Sequence, residues 1–407
     1  MGIGYICINQ QYILDSHQKY MQRCLELAKK GAGFVAPNPM VGAVLVFEDR
    51  IIGEGWHQKY GAAHAEVNCI ASVSKDDKDL INQSILYVSL EPCAHFGKTP
   101  PCADLIIQHK IPKVVIGCRD PFKEVNACRN NEVGPGKGIE RLKAAGVEVI
   151  SGVLENECKA LNKRFFTFHE KKRPYVILKW AQTADGKITS LNPSAGGTLE
   201  SVRLKDKNVK GTSALSGIKA PLLEGFGEVE RLLISNEYSN RLVHQWRSEE
   251  ASILVGTNTA LLDDPELTTR LWEGNSPIRL VLDMNLRLPL HLKLFDKKVK
   301  TIVFNNVKQE ENENLIYYKI EKEKNIVSEI SKALYQLNIQ SVIVEGGAKL
   351  LQSFIDADLW DEARVISNEE LVVNNGLAAP NLNDALMVNE EKILSDRIEY
   401  YTRTNTE

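Results

Sequence analysis

The sequence predicts an α/β architecture in two domains, and three observations carry that reading. Apolar runs of strand length alternate with segments of helical periodicity along the chain, the pattern of layered α/β folds. A length of 407 residues exceeds one typical domain, and an apolar content of 43% is enough to build full cores. All eight cysteines stand at or before Cys158. That asymmetry fits a metal-binding first domain joined to an unrelated second one, since a disulfide framework is unexpected in a long cytosolic chain.

In chain order, Asp15 is placed to cap a helix whose apolar face is Met21, Cys24, Leu25 and Ala28, with Gly31 ending it. Pro37-Asn38-Pro39 is a loop before strand Val41–Phe47. Glu48-Asp49-Arg50 turns into a second strand, Ile51–His57. A helix should start near His64 and run through Ile70. Strand Ser84–Leu90 leads to the break at Glu91-Pro92. Pro101 suits the first turn of a helix over Cys102–His109. Strand Lys113–Cys118, helix Ile139–Ala145 and strand Val147–Val153 complete a first domain of residues 1–153. Residues 154–172 are charged and read as a helical connector.

The second domain, residues 173–407, opens with strand Tyr175–Trp180. Strands Ile253–Val255, Ile278–Leu282, Thr301–Phe304 and Val342–Val344 supply a mostly parallel sheet. Segments Asn236–Trp246 and Ser328–Leu337 have the helical periodicity of crossovers. Gly134-Pro-Gly-Lys-Gly138 is not a dinucleotide fingerprint, because no strand runs directly into it.

The chemistry concentrates between His64 and Cys102. His64-Ala65-Glu66 is followed by Pro92-Cys93 and, after eight intervening residues, Cys102. One imidazole and two thiols suit tetrahedral zinc, and three protein ligands leave the open position of a catalytic site. There zinc lowers the pKa of a water from ~15.7 to about 7. Glu66 is not needed as a ligand and is suited to shuttle protons, as in the zinc deaminases, where His-x-Glu precedes Pro-Cys…Cys. The usual deaminase spacing is Cys-x-x-Cys, so the bare pattern leaves zinc catalysis at even odds, and His95 competes with His64 as ligand. His64 and Cys102 fall near helix N-termini, whose partial positive charge favours thiolate.

The residues between the thiols decide the matter. Pro92-Cys-Ala-His-Phe-Gly-Lys-Thr-Pro-Pro-Cys102 closely resembles the deaminase half of the bifunctional deaminase/reductase family of riboflavin biosynthesis. Lys179-Trp-Ala-Gln-Thr-Ala-Asp185-Gly-Lys-Ile188 resembles the opening of the reductase half, as do the run Leu254–Arg270 and Val344-Glu-Gly-Gly-Ala348. The resemblance implies a cytidine-deaminase-like α/β/α layer domain and a dihydrofolate-reductase-like α/β domain. It implies zinc on His64, Cys93 and Cys102, with Glu66 as general acid/base. It places the pyrimidine on Asn38 and His57 and the ribose phosphate on Lys98 and Asp120. In the reductase half it assigns Arg247, Leu267, Arg270 and Glu345 to substrate. NADPH falls to Ala181, Thr259, Asp263, Gly346 and Gly347; the two glycines would let cofactor phosphates approach the backbone.

The implied reactions are hydrolytic removal of the 2-amino group of 2,5-diamino-6-ribosylamino-4(3H)-pyrimidinone 5′-phosphate, then NADPH-dependent reduction of its ribosyl group to ribityl. The chain departs from the family in an insertion over 127–135, a Gly/Ser/Lys-rich segment over 191–229, Leu233 in place of a tryptophan, and Met284 in place of a serine. The last three, in the second domain, bear on cofactor affinity more than on the reaction. A net charge of −3 implies no bulk attraction to nucleic acid, and no apolar run reaches membrane-spanning length. Residues 1–7 lack a signal-peptide pattern, and Ile6 stands where a myristoylation site wants Ser or Thr. A cytoplasmic homo-oligomer acting on a small phosphorylated pyrimidine is expected. The alternative is a nucleobase or nucleic-acid deaminase carrying an inactive reductase-like binding domain.

Overall fold

A computed structural model of the chain describes residues 2–96, 100–121, 137–190, 202–204, 233–321 and 324–404. It divides into two compact units, Met1–Arg173 and Pro174–Glu407.

The first unit runs α1 (Gly2–Lys29), β1 (Gly42–Phe47), β2 (Arg50–Trp56), α2 (Ala65–Ala71), β3 (Ile85–Leu90), α3 (Cys102–Gln108), β4 (Lys113–Cys118), α4 (Gly138–Ala144), β5 (Glu148–Ser151), α5 (Glu155–Leu161) and α6 (Lys163–Lys171). Its sheet has the order β2-β1-β3-β4-β5. β1 pairs antiparallel with β2 and β3, whereas β3, β4 and β5 are parallel. Strand residues alternate between two cores. Ala43, Leu45, Leu86, Val88, Val114 and Ile116 face α2, α3 and α4. Val44, Val46, Tyr87 and Val115 face α1, α5 and α6. The result is the expected α/β/α layering.

Two details differ from expectation. Asp15 lies inside α1 rather than at its cap, because the helix continues from Gly2; no proline or glycine interrupts residues 5–15. Residues 154–172, expected as a connector, form α5 and α6. Cys158, Phe165 and Phe166 are buried with α1 in the first unit's core. The charge of this stretch is on its solvent side, and its apolar side is what docks.

The second unit runs β6 (Tyr175–Thr183), β7 (Lys187–Ser190), β8 (Val202–Leu204), α7 (Glu237–Glu249), β9 (Ser252–Gly256), α8 (Thr257–Asp263), β10 (Ile278–Leu282), β11 (Thr301–Asn305), β12 (Glu310–Asn312), β13 (Leu315–Lys319), α9 (Ile326–Gln336), β14 (Ser341–Val344), α10 (Ala348–Asp356), β15 (Glu362–Asn368), β16 (Leu371–Val373), β17 (Gly376–Ala378), β18 (Ala385–Ile393) and β19 (Asp396–Arg403). The main sheet has the order β12-β13-β11-β10-β9-β14-β6-β15-β19-β18. From β13 to β15 all neighbours are parallel, and the edges are antiparallel. α9 and α10 cover one face with Ile330, Leu334, Leu351 and Phe354. α7 covers the other with Val243 and Trp246, beside α8 with Ala260.

The strand order reverses at β9. The chain proceeds from β9 to β10 and β11 on one side, then returns at β14 to the other side. In open α/β sheets a ligand crevice forms at such a reversal, outside the carboxyl ends of the strands.

Candidate active sites

In the first unit, α2 lies directly on β2. A Cβ added at Gly55 would stand 2.2 Å from the Cys69 backbone nitrogen, so only glycine admits the helix this close. That approach fixes His64, which caps α2 in extended conformation, and Glu66 in its first turn. Cys102 is the first residue of α3, and Pro101 stands just ahead of the helix instead of within it. Cys93 lies in the loop after β3, and its carbonyl accepts the Ala103 amide at 3.1 Å. The Cys102 N–H donates to the Cys93 sulfur at 3.3 Å.

Among the described residues, His64, Cys93 and Cys102 form the group of His, Cys, Asp or Glu donors close enough for one ion, all within 4.8 Å of one another. His64 Nδ1 is 3.6 Å from Cys93 Sγ and 3.3 Å from Cys102 Sγ. Tetrahedral zinc with Zn–N ~2.0–2.1 Å and Zn–S ~2.3 Å holds such donors about 3.5 Å apart, so the cluster fits the ion. His95, the competing histidine of the sequence, is not in the cluster. The electrostatics agree. The Cys102 thiol hydrogen-bonds Cys93 and, with help from His64 and against burial, pushes it down to about 4. The same contact and burial push Cys102 up. Two sulfurs thus share one negative charge, which a soft divalent cation complements.

Glu66 is 3% exposed. Burial, then the charge on Cys93, pushes its carboxyl up. His57 packs edge-on against His64, with ring centroids 5.5 Å apart. Its Nδ1 donates to Ala63 O at 3.0 Å, and its Nε2 is 3.1 Å from Asn38 Nδ2. Burial lowers its pKa, so this is the neutral tautomer that accepts from the Asn38 amide. Both ring nitrogens of His57 are therefore engaged. The sequence placed His57 on the pyrimidine together with Asn38, and the structure brings these two side chains into contact. Asp120 lies just after β4, and its amide bonds Glu91 Oε2 at 3.3 Å. Lys98 and the 127–135 insertion lie outside the described residues.

In the second unit, Lys179 and Ala181 share one face of β6. β14 pairs in register with β6 through Val344 and Leu178, which sets Glu345 beside Lys179. Arg247, on the α7 face, closes a triad whose side chains are 10–13% exposed. Its Nε and Nη2 donate to the two Glu345 oxygens at 3.0 and 2.7 Å, and Lys179 Nζ is 3.6 Å from Glu345 Oε2. Burial alone would push Glu345 up, but Arg247 and Lys179 more than offset it and hold it down at about 2. Burial lowers Lys179, and Glu345 only partly restores it. Arg247 was expected on a substrate phosphate; its fork is engaged by Glu345, with a long 3.5 Å contact to Thr268 O. Arg270 is half-exposed, with a loose 3.6 Å pairing to Glu266. The Leu267 side chain is buried in the core at positive φ, so the backbone is what it presents to a ligand.

The cofactor crevice fits NADPH. Gly256 and Gly347 are the N-caps of α8 and α10, at the carboxyl ends of adjacent strands β9 and β14. Two helix N-termini with their free amides favour phosphate oxygens. A Cβ on Gly346 would come within 2.8 Å of Leu350, and one on Gly347 would face Thr259 Oγ1 at 3.8 Å. Thr259 and Asp263 lie on α8, and Ala181 is half-buried on β6. Leu233 is exposed, whereas Met284 packs against the core. Of segment 191–229, the described part is β8, paired with β16.

Three site residues escaped the sequence reading. Lys179 was quoted only as part of a motif, although a lysine inside an apolar strand was a signal. Glu91, next to Pro92, carried none. His244 is buried beside Arg247 with Nδ1 unpartnered, and burial, then Arg247, lowers it to about 4.

A thiol-and-imidazole metal cluster around a buried glutamate, in one chain with a dinucleotide crevice beside a Lys–Glu–Arg triad, defines a bifunctional enzyme: a zinc-dependent deaminase and a nicotinamide-dependent reductase. Residues 14–118 match the cytidine and deoxycytidylate deaminase zinc-binding region, and residues 174–369 match the RibD C-terminal domain. The chain is 35% identical over 397 residues to riboflavin biosynthesis protein RibD of Aquifex aeolicus, covering 94% of this chain and 96% of that one. It is 33% identical to RibD of Actinobacillus pleuropneumoniae, covering 87% and 84%. A crystal structure from Thermotoga maritima, of a diaminohydroxyphosphoribosylaminopyrimidine deaminase/5-amino-6-(5-phosphoribosylamino)uracil reductase, is similar with TM-score 0.75 and 34% identity over 96% of this chain and 99% of that one. Acinetobacter baumannii RibD gives TM-score 0.76 at 27% identity, covering 96% and 100%. The chain belongs to the RibD family of bifunctional riboflavin biosynthesis enzymes, with zinc and NADPH as cofactors. No helix among the described residues is long and apolar enough to cross a membrane.

Proposed function

We propose that the first unit deaminates 2,5-diamino-6-ribosylamino-4(3H)-pyrimidinone 5′-phosphate and that the second reduces the ribosyl group of the product to ribityl. The observation that carries the first step is the convergence of His64 Nδ1 and the two sulfurs beside a buried Glu66. These three ligands would hold zinc, which when bound would supply a water activated at neutral pH. Glu66 moves a proton from that water to the departing 2-amino nitrogen. A C–O bond forms, the C–N bond breaks, and ammonia leaves. Asn38, oriented by His57, meets the pyrimidine, and Asp120 and Lys98 meet the ribose phosphate.

In the second unit NADPH, when bound, would supply the hydride for the sugar C1′. The oxygen released from that carbon needs a proton. Lys179, its pKa lowered by burial beside Glu345, is chemically suited to give it. Arg270 takes the substrate phosphate, and Glu345 and the Leu267 backbone contact the substrate elsewhere. Cys24, Cys69, Cys93, Cys102, Cys118 and Cys158 are free thiols, which supports a cytoplasmic location.

The test is to incubate the full chain with this substrate, with and without NADPH, and identify products by mass. A deaminated ribosyl compound is expected without NADPH and the ribityl compound with it. Ammonia release without any ribityl product would remove the reductase reading, and no ammonia would remove the deaminase one.

Arg270→Ala should raise the reductase KM about 10–100-fold, the loss of one or two charge-assisted hydrogen bonds, and leave deamination unchanged. Parallel steady-state assays on the one chain check this. Equal losses in both activities would mean a folding defect and not a phosphate contact.

A further inference from the structure

Glu91 follows β3 and stands one proline before Cys93. It is buried, and a buried carboxyl needs donors. Asp120 N–H donates to its Oε2 at 3.3 Å, and Ile139 N–H donates to its Oε1 at 3.1 Å. The Glu91 amide in turn donates to Cys118 O at 2.9 Å. One side chain thus ties the end of β3 to the end of β4 and to the first turn of α4.

α4 is also held to the loop that carries the first thiol. A Cβ on Gly138 would stand 1.9 Å from Pro92 O, so only glycine lets α4 begin here. Arg141 on α4 reaches Ala94 O at 3.4 Å and pairs with Asp104 on α3 at 2.6 Å. Glu91 therefore lies between the loop that would hold zinc and the residue, Asp120, that would hold the ribose phosphate.

We propose that Glu91 is a positioning residue for deamination. By accepting both amides it fixes Asp120 relative to the zinc ligands, so that the substrate's tail and its amino-bearing carbon are held in one register. It touches neither substrate nor metal. The proposal rests on the deaminase reading above.

The experiment compares deamination kinetics of the wild type, Glu91→Gln, Glu91→Asp, Asp120→Ala and the Glu91→Gln/Asp120→Ala double variant. Zinc content and reductase rate are read on each chain. In Glu91→Gln one acceptor becomes a donor facing a backbone N–H, so KM should rise about 10–100-fold. Its kcat should stay within about twofold and its zinc should be retained, because the groups of the chemical step are untouched. Glu91→Asp keeps both acceptors on a shorter stem and should give an intermediate KM. In the Asp120→Ala background the second substitution should add little, since the residue it positions is gone. An unchanged KM, a fall in kcat alone, a loss of zinc, or full additivity with Asp120→Ala would each overturn the proposal. If Glu91→Gln also loses reductase activity through misfolding, Glu91→Asp decides on the same criteria. A wild type that releases no ammonia overturns the deaminase reading and this proposal together; an active wild type with an unchanged Glu91→Gln KM overturns this one alone.

Discussion

Glu66→Gln should lower deamination by at least ~10²–10⁴-fold, the usual contribution of a general acid/base. The loss should sit at the high end, because one carboxylate serves both the proton leaving water and the proton arriving at the amine. The amide is nearly isosteric, and Glu66 is not among the clustered donors, so zinc content should be unchanged. Burial and the neighbouring Cys93 raise the Glu66 carboxyl, which suits a group that must hold a proton between two transfers. The same chain should still reduce substrate that has already been deaminated. Ammonia release under saturating substrate is the measurement; a rate near that of the wild type would take Glu66 out of the mechanism.

The layered fold was legible because its strands are short apolar runs and its helices are amphipathic. Lys113–Cys118 and Ile278–Leu282 were read to the residue and the other predicted strands to within about three, whereas β13, β15, β18 and β19 of the main sheet were not predicted. What local pattern does not encode is where an element's apolar side docks. Residues 154–172 look like a connector because charge dominates their composition. Phe165 and Phe166 turn inward only because α1 and the sheet offer them a surface.

The zinc cluster was legible for a related reason. Its three donors are rare residue types within one stretch of chain, and their chemistry is the same in any local setting. Partners drawn from distant segments were not legible. Nothing local says that Arg247 on α7 will meet Glu345 after β14; the register of β14 on β6 decides it. His57 likewise gives no local sign that its ring nitrogens will meet the backbone at Ala63 and the amide of Asn38.

The Lys179–Glu345–Arg247 triad gives the second large effect. Glu345→Gln should abolish most reduction, destabilise the second unit by about 3 kcal/mol near neutral pH, and spare deamination. The carboxyl is held at about 2 in the folded chain, against ~4.3 when unfolded. Because the folded value is the lower one, the stabilisation is complete above about pH 4.3 and fades as pH falls toward 2. That interval is worth about 3 kcal/mol at 1.36 kcal/mol per unit, consistent with ~3–5 kcal/mol for breaking a buried ion pair. Glutamine keeps the shape but leaves Arg247 and Lys179 as two buried cations without a counter-charge. Four of the five tryptophans, Trp180, Trp246, Trp272 and Trp360, lie in the second unit. Denaturant unfolding followed by tryptophan fluorescence therefore reports mainly on that unit. The gap between wild type and variant should be widest at pH 7 and nearly closed by about pH 2, as the wild-type carboxyl itself takes up a proton. A gap that stays constant between pH 7 and 2, or no gap at all, would show that the triad contributes no charge-dependent stability, and the loss of reduction would then need another cause.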